Sequence, residues 1–583
     1  MHNGLSRRRW EYVLLGLLGT FGACTCGGDQ GTILDAGGDR SADASSEDPT
    51  LGDATSDVVP PLSGCEMAQR TGDPVGCTYL AFSPELSEVP TYGCIALLVS
   101  NPGKLAARLK VTWKGIALDV EKHGRLVSSP GLPYAYQPMV NGTLPPGTSG
   151  VIALIQGFED SFHPYLKCSF PAAFTGDFEV YQGQRGSAFR VDATEPVFLS
   201  SVSPYSAGLE EPAGGMSFRA ESNWETRYLD VGTYKPGRPD LFDGGIAEED
   251  YWWSLQSHPS YTTLTATRAA TVKIARDGGT ATYNLAPNEV VAIRRDDQFI
   301  GSLIQSDSPL AVGTGNPTLR VPFDAPFVYG AQPSFHWMAP PASWGSEVAA
   351  VRYPRRYPSI DEPGVWRILG GADGTTLTYD PAPPPGAPLS LTQGEQAVFD
   401  AAGPFVVRSQ DEKHPFHVSL LMTVFTTLCS GNGSSCTADR RGNPELVAIL
   451  PPQEYARRFS FLTDPSFSET RLVVTRRRDG GTFHDVALDC AGTLSDWKPI
   501  GIGGLYETTY VALSSGNFAP QTYPGGTCTL GPHTLESDGP VALTLWGWGS
   551  SAATAQESYG GTSYAINVFG LGPRPARPVV PQN

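Results

Sequence analysis

One phrase recurs four times along this chain, and any fold it adopts has to accommodate that recurrence. The phrase closes on a Ser-, Asp- or Glu-rich corner followed by proline and an apolar residue. The corners are Asp192-Ala193-Thr194-Glu195-Pro196-Val197, Ser306-Asp307-Ser308-Pro309-Leu310, Gln410-Asp411-Glu412-Lys413-His414-Pro415-Phe416 and Glu536-Ser537-Asp538-Gly539-Pro540-Val541. Their prolines fall about 105 to 125 residues apart, the length of a modest β domain. Upstream of each corner lies a turn: Lys114-Gly115, Asp277-Gly278-Gly279-Thr280, Asp373-Gly374-Thr375 and Asp479-Gly480-Gly481-Thr482. Glycine accepts the positive φ of primed turns, so these are expected to be hairpins. Between turn and corner, Leu144-Pro145-Pro146-Gly147, Leu285-Ala286-Pro287-Asn288-Glu289 and Leu391-Thr392-Gln393-Gly394-Glu395 lead into apolar strands. The unit starts also correspond. Pro340-Pro341-Ala342-Ser343-Trp344 parallels Pro451-Pro452-Gln453-Glu454-Tyr455, and Trp224 falls one interval earlier. An aromatic there is expected to plug the end of each core.

Helix-period segments with caps are nearly absent, and the chain is rich in turn formers, with 66 Gly and 51 Pro. The expected class is all-β, built of tandem repeated β-sandwich-like units over 62–204, 205–320, 321–445 and 446–572, with a Pro-rich tail over 573–583. The alternative is a β-propeller-like arrangement of the repeats. A unit of more than about a hundred residues is long for a four-stranded blade and favours sandwiches.

The N-terminal region reads differently. Arg7, Arg8 and Arg9 precede an apolar run from Val13 to Ala23, the layout of a secretory signal. The run ends Phe21-Gly22-Ala23-Cys24, which resembles the lipobox of bacterial lipoproteins. That resemblance implies removal of 1–23 and a lipid anchor on Cys24, in the cell envelope at the outer membrane or cell surface; a freely secreted protein is the alternative. Residues 24–61 carry Asp29, Asp35, Asp39, Asp43, Glu47, Asp48, Asp53 and Asp57 with almost no aromatic or branched apolar residue. Such a segment buries too little to order itself and reads as a disordered acidic tether. Cys26 lies in it. The eight cysteines beyond it are Cys65, Cys77, Cys94, Cys168, Cys429, Cys436, Cys490 and Cys528. An even number in an exported chain reads as disulfides, and sequence order suggests pairing neighbours, one of about 105 connectivities.

Gly64-Cys65-Glu66 opens the folded region, Pro-Pro-x-x-Trp344-Gly345-Ser346-Glu347 starts a unit, the Ser/Asp-x-x-Pro-Val corner recurs, and Ser558-Tyr559-Gly560-Gly561 closes the region. In this order and spacing the motifs resemble the IgG Fc-binding protein N-terminal domain family over roughly 62–572. The resemblance implies surface interaction rather than catalysis, and it carries no catalytic or ligand-binding residue onto a position of this chain.

A search for chemistry agrees with that implication. A net charge of -18 argues against nucleic-acid binding, which needs surplus Lys and Arg to displace counterions. No Gly-x-Ser-x-Gly motif is present, and Gly433-Ser434-Ser435-Cys436 reads as a disulfide-closed loop. His414 and His417 are spaced to point to opposite faces of a strand and converge poorly on a metal. Asp240, Asp243, Glu248, Glu249 and Asp250 gather before Tyr251-Trp252-Trp253. The acids suggest structural calcium or a solvated turn, and the aromatics a platform for a sugar ring. Trp546 and Trp548 share a strand face and read as core. The function expected is binding or adhesion to an extracellular protein or glycan. An extracellular polysaccharide hydrolase or lyase is the alternative, and a self-stacking envelope component a third reading.

Overall fold

Every repeat contains one strand, or pair of strands in line, that belongs to two sheets, and the corner motif marks where it changes over. The computed structural model describes residues 62–82, 93–157, 167–175, 185–206, 213–233, 260–276, 279–295, 300–319, 321, 332–358, 360, 362–424, 441–549 and 562–573. Among these the secondary structure is almost entirely β, and residues Pro61–Asn583 form one compact unit. No helix among them is long and apolar enough to cross a membrane.

In the first repeat the long strand Phe189–Ser203 pairs through its first half with Ala107–Trp113 and through its second with Cys94–Ser100. Leu303–Leu319 and Pro532–Trp548 do the same in the second and fourth. In the third, the strand is split by the corner into Phe405–Ser409 and Phe416–Leu421, which lie in separate sheets. Proline lacks the N–H that a central ladder needs, so it sits where pairing is broken anyway. The break is the same in three repeats. Gly76 and Thr78 face Val197 and Asp192, Glu225 and Arg227 face Leu310 and Gln305, and Ala456 and Arg458 face Val541 and Glu536. A strand that bulges and switches sheets is how two-layer β units turn their corners. Tyrosine hydroxyls brace two of them: Tyr228 donates to Leu310 O at 2.7 Å, and Tyr79 donates to Val197 O.

The unit starts are equivalent too. One-turn 3-10 helices at Glu221–Asn223, Pro341–Ser343 and Pro452–Glu454 each deliver the expected aromatic, and Trp224, Trp344 and Tyr455 are all buried. The indole N–H of Trp224 reaches Arg219 O at 2.9 Å, and that of Trp344 reaches Ala339 O at 3.0 Å. Trp546 and Trp548 are core residues of the last unit.

Two turns differ from expectation. Lys114-Gly115 does close a hairpin, with φ of 47° and 81°. The strands flanking 277–278 also pair, Arg276 facing Gly279. Asp373-Gly374, however, joins Gly364–Gly370 to Thr375–Asp380, which lie in different sheets. Gly480-Gly481 is a tight primed turn, but the strands Glu469–Arg477 and Val486–Leu488 pair with the two halves of Pro532–Trp548 instead of with each other. Both turns are corners between layers, because each flanking strand is claimed by a different half of the sheet-switching strand.

After each switching strand the chain comes back as a short return strand: Gly214–Ser217, Gln332–Trp337, Leu446–Ala448 and Ser563–Val568. Boundaries expected at 204, 320 and 445 fall in the connections between a switching strand and its return strand. The four return strands run side by side in one direction around a common line. A Cβ on Gly214 would lie 2.5 Å from Pro333 O, and one on Gly215 2.6 Å from Ala565 O. On the other side, Asn567 Nδ2 donates to Ala448 O at 2.8 Å. The repeats are therefore two-layered units set in a ring, first beside last. Edges are also shared between neighbours, since Arg185–Ser187 pairs with Glu289–Arg295 of the second unit.

Gly215→Val is expected to destabilise the protein by roughly 1–3 kcal/mol, the usual range for overpacking. Gly403→Ala, where an added Cβ meets nothing within 4 Å, is expected to stay within about 0.5 kcal/mol of the native protein. Denaturant unfolding of both variants checks this.

Candidate functional site

Where the return strands begin, the line between them is filled by a polar hub rather than an open channel. Glu445, immediately before the third return strand, is fully buried. Its Oε1 accepts from Gln332 Nε2 at 3.0 Å and from the Gly215 N–H at 3.5 Å, and its Oε2 accepts from Ser334 Oγ at 3.4 Å. The Gln332 amide crosses the axis, donating also to Ser563 O and accepting from Ser563 N, each at 3.0 Å. Ser563 Oγ donates to Asn443 O at 2.7 Å. Thus one carboxyl and one amide tie all four units together. Burial holds the Glu445 carboxyl well above the usual carboxylate range, so it is neutral. Beside it, burial drives His336 and His417 down to about 3, and both are neutral imidazoles facing the Arg367 guanidinium.

The same pole of the ring carries the ends of all four connections from switching strand to return strand. The chain leaves the described residues after Ser206, Val321, Val424 and Gly549 and returns at Ala213, Gln332, Arg441 and Thr562. These ends are gathered together. Val424 N donates to Val321 O at 2.8 Å, Gly549 N to Thr562 O at 2.9 Å, and Gly442 packs against Trp548. Ser206 N donates at 2.9 Å to Asp464, a buried carboxyl pushed up to about 6 by desolvation.

Buried ionisable side chains concentrate around these ends. Arg356, Glu362, Glu445, Asp464 and Glu469 are each at most 1% exposed. Arg356 forks onto Glu362, with Nε to Oε1 at 3.0 Å, and its Nη1 reaches the carbonyls of Arg441 and Gly442 at 2.9 Å each. Glu469 receives Arg441 at 2.9 Å and the Trp548 indole at 3.2 Å. Removing one partner of a buried pair costs about 3–5 kcal/mol, so these pairs fix the ends of the loops rigidly. A rigid scaffold that fixes the ends of its connections is the layout by which β folds position contact residues. A further buried pair, Arg219 with Glu454 at 2.5 Å and 2.9 Å, joins the second unit's start to the fourth's and lines a small cavity with Trp344 and His417.

Of the residues singled out in the sequence, Cys65–Cys77, Cys94–Cys168 and Cys490–Cys528 form disulfides. Cys429 and Cys436 lie outside the described residues, between Val424 and Arg441. Cys24, the acids Asp240, Asp243, Glu248, Glu249 and Asp250, and Tyr251, Trp252 and Trp253 also lie outside them. The segment carrying these aromatics leaves the described residues after Thr233 and re-enters at Ser260, whose hydroxyls meet at 2.9 Å. His414 is a corner residue held by Asp411 at 2.7 Å, while His417 is buried against Trp344, so the two do not converge. Asp489, Cys490 and His533 do lie together, but the sulfur is spent in a disulfide and both ring nitrogens of His533 are engaged, by Asp489 and by Thr529 O. Sequence reasoning missed Glu445, Asp464, Glu469 and the two Arg–Glu pairs: Glu445 and Arg219–Glu454 draw partners from remote repeats, and for Arg356–Glu362, only six residues apart, nothing in the local pattern announces burial. The available signal was a carboxylate set against an apolar run, as in Asn443-Pro444-Glu445-Leu446-Val447.

A family model described as IgGFc binding protein matches residues 222–547, more than half of the chain. The match begins at the 3-10 turn that opens the second unit and ends inside the last switching strand, narrower than the 62–572 expected from motif order. No curated protein and no solved structure matches.

Glu445→Gln is expected to keep the hub, its amide oxygen accepting from Gln332 and Gly215 as the carboxyl does, and Glu445→Ala to cost about 1–3 kcal/mol by leaving the buried Gly215 N–H without its acceptor and Gln332 and Ser334 with one partner fewer. The folded carboxyl sits above its unfolded value. Its contribution is therefore complete below the normal glutamate range and fades as pH rises through the raised value. The Gln variant should lose that slope, which melting curves from the ordinary glutamate value of about 4.3 up to about pH 9 will read.

Proposed function

The chain belongs to the IgGFc binding protein family, and on that premise we propose that its folded part is an extracellular binding module that engages a protein partner at the pole of the ring where the ends of the four connections gather. The observation that supports this most is the convergence of four equivalent connections on one rim held by buried ion pairs. The connecting segments differ in length and composition while the strands they join repeat, which separates a constant scaffold from a variable part of the sequence. The ligand class is an extracellular protein, and adhesion is the role such a module has when displayed on a surface.

Display is supplied by the N-terminal segment in this reading. Lipid on Cys24 anchors the chain in the envelope, and residues 25–61, acidic and self-repelling, hold the module off the membrane.

Two measurements test the proposal. Purified 62–573 is expected to bind saturably to a member of an array of extracellular proteins without forming product from accompanying polysaccharides. Replacing 425–440 by a Gly-Ser linker of equal length should weaken that binding at least about tenfold, a hot-spot-sized loss, with melting unchanged. Turnover of a polysaccharide would overturn the binding reading. For the anchor, wild-type cells fed labelled palmitate should incorporate it and retain the protein in membranes, whereas Cys24→Ala should lose the label. Unchanged labelling of the variant would refute lipidation there.

A further inference from the structure

A ring stays closed only if its first and last units hold together, and the seam between them is partly polar. Tyr134 of the first unit is buried against Thr463 of the fourth, its hydroxyl lying 3.0 Å from Thr463 O and 2.7 Å from Thr463 Oγ1. Gly131 N donates to Leu530 O at 2.7 Å. Around these bonds Leu98, Val127, Val151 and Tyr205 of the first unit pack with Leu462 and Leu530 of the fourth.

Asp464 lies in the same seam, fully buried. Its Oδ2 accepts from Ser206 N of the first unit at 2.9 Å, and its Oδ1 accepts from Ser466 N at 2.8 Å and from the Ser466 hydroxyl. The titratable groups that face it are all phenols: Tyr134, Tyr136 and Tyr205 from the first unit and Tyr564 from the last return strand. Burial holds each of them above the ordinary tyrosine range, so all four are neutral. Among the described residues no Lys, Arg or His pairs with Asp464, whereas the buried Glu362, Glu454 and Glu469 each have an arginine. Three hydrogen bonds favour its carboxylate form and desolvation opposes it. Desolvation prevails, as expected of a buried acid without a counter-ion, and pushes the carboxyl up to about 6.

We propose that Asp464 is a proton-operated clasp on the ring: protonated, it locks the first unit to the fourth and pins Ser206, and ionised, it slackens that seam. An opened seam hydrates the carboxyl and returns it to the ordinary aspartate range near 3.9. The closed form therefore holds a proton that the open form releases, and closure is favoured fully below that range and loses the contribution as pH rises through about 6. Ser206 is the residue from which the first connection departs, so the clasp sets how firmly that end is held in mildly acidic and in neutral surroundings. It operates whether or not the pole binds a protein, so either proposal can fail without the other.

The test is amide hydrogen exchange of the full mature chain, corrected for the intrinsic pH dependence of exchange and made in a Glu445→Gln background so that the hub carboxyl adds no slope. Protection of the peptide 196–206 should fall by up to about tenfold per pH unit from about pH 4 to about pH 6 and then level off. The peptide 303–312, in the second unit and away from the seam, should not follow it. Adding Asp464→Asn, which carries no proton to release, should leave 196–206 with a flat profile. Constant or rising protection of 196–206 over that range, an equal fall in 303–312, or the same fall with Asp464→Asn would overturn the proposal. Should Asp464→Asn not fold, the Glu445→Gln chain alone decides, since a seam without the clasp shows no fall confined to 196–206.

Discussion

A strand that must serve two sheets cannot keep an unbroken ladder, and from that constraint most of this molecule follows. At the corner the backbone changes partners, so one position needs no N–H for pairing and tolerates proline, while the preceding Asp, Ser and Glu residues face solvent or cap the bend. Pro196, Pro309, Pro415 and Pro540 occupy this place in four repeats. In three of them the facing strand meets the corner with the same offset, for instance Gly76 and Thr78 against Val197 and Asp192. The corner folds each repeat into two layers and aims the second half of the strand, with its return strand, at a common line.

Bringing four return strands to one line creates two demands. Backbones must approach closely, which Gly214 and Gly215 allow because a Cβ at either would strike a neighbouring carbonyl. Polar groups at the centre must also be satisfied without water, since an unpaired one costs roughly 1–3 kcal/mol. Glu445 and Gln332 meet that demand between them, the carboxyl by staying neutral and the amide by bonding on both sides of the axis. Around the hub, Arg219–Glu454 and Arg356–Glu362 add buried pairs whose partners cannot be removed singly without a large penalty. The result is a scaffold stiff at its centre, with the ends of four connections gathered at one pole.

Much of this was legible from residues alone. The aromatic plugs Trp224, Trp344 and Tyr455 and the inward Trp546 and Trp548 follow from recurrence and local pattern, because each depends on burial alone, and three disulfides match the pairing suggested by the order of the cysteines. The turns at Asp373-Gly374 and Gly480-Gly481 show the limit of such reasoning. Glycine at positive φ announces that the chain reverses, but not whether the strands on either side pair with each other or with the two arms of a third.

The sequence by itself determined the repeat, the all-β class, the corners and the family, since these rest on periodicity and on backbone preferences that a residue carries wherever it is placed. Only the tertiary structure decided that the repeats close into a ring, that Glu445 is an uncharged hub, that the ends of four connections share one pole, and that Asp380 of the third unit holds the Ile502 backbone of the fourth. Those facts depend on contacts between residues from remote repeats, such as Gly215 with Ala565 or Asp380 with Ile502. Packing, not local propensity, sets the dielectric, the proton affinity and the neighbours of such groups.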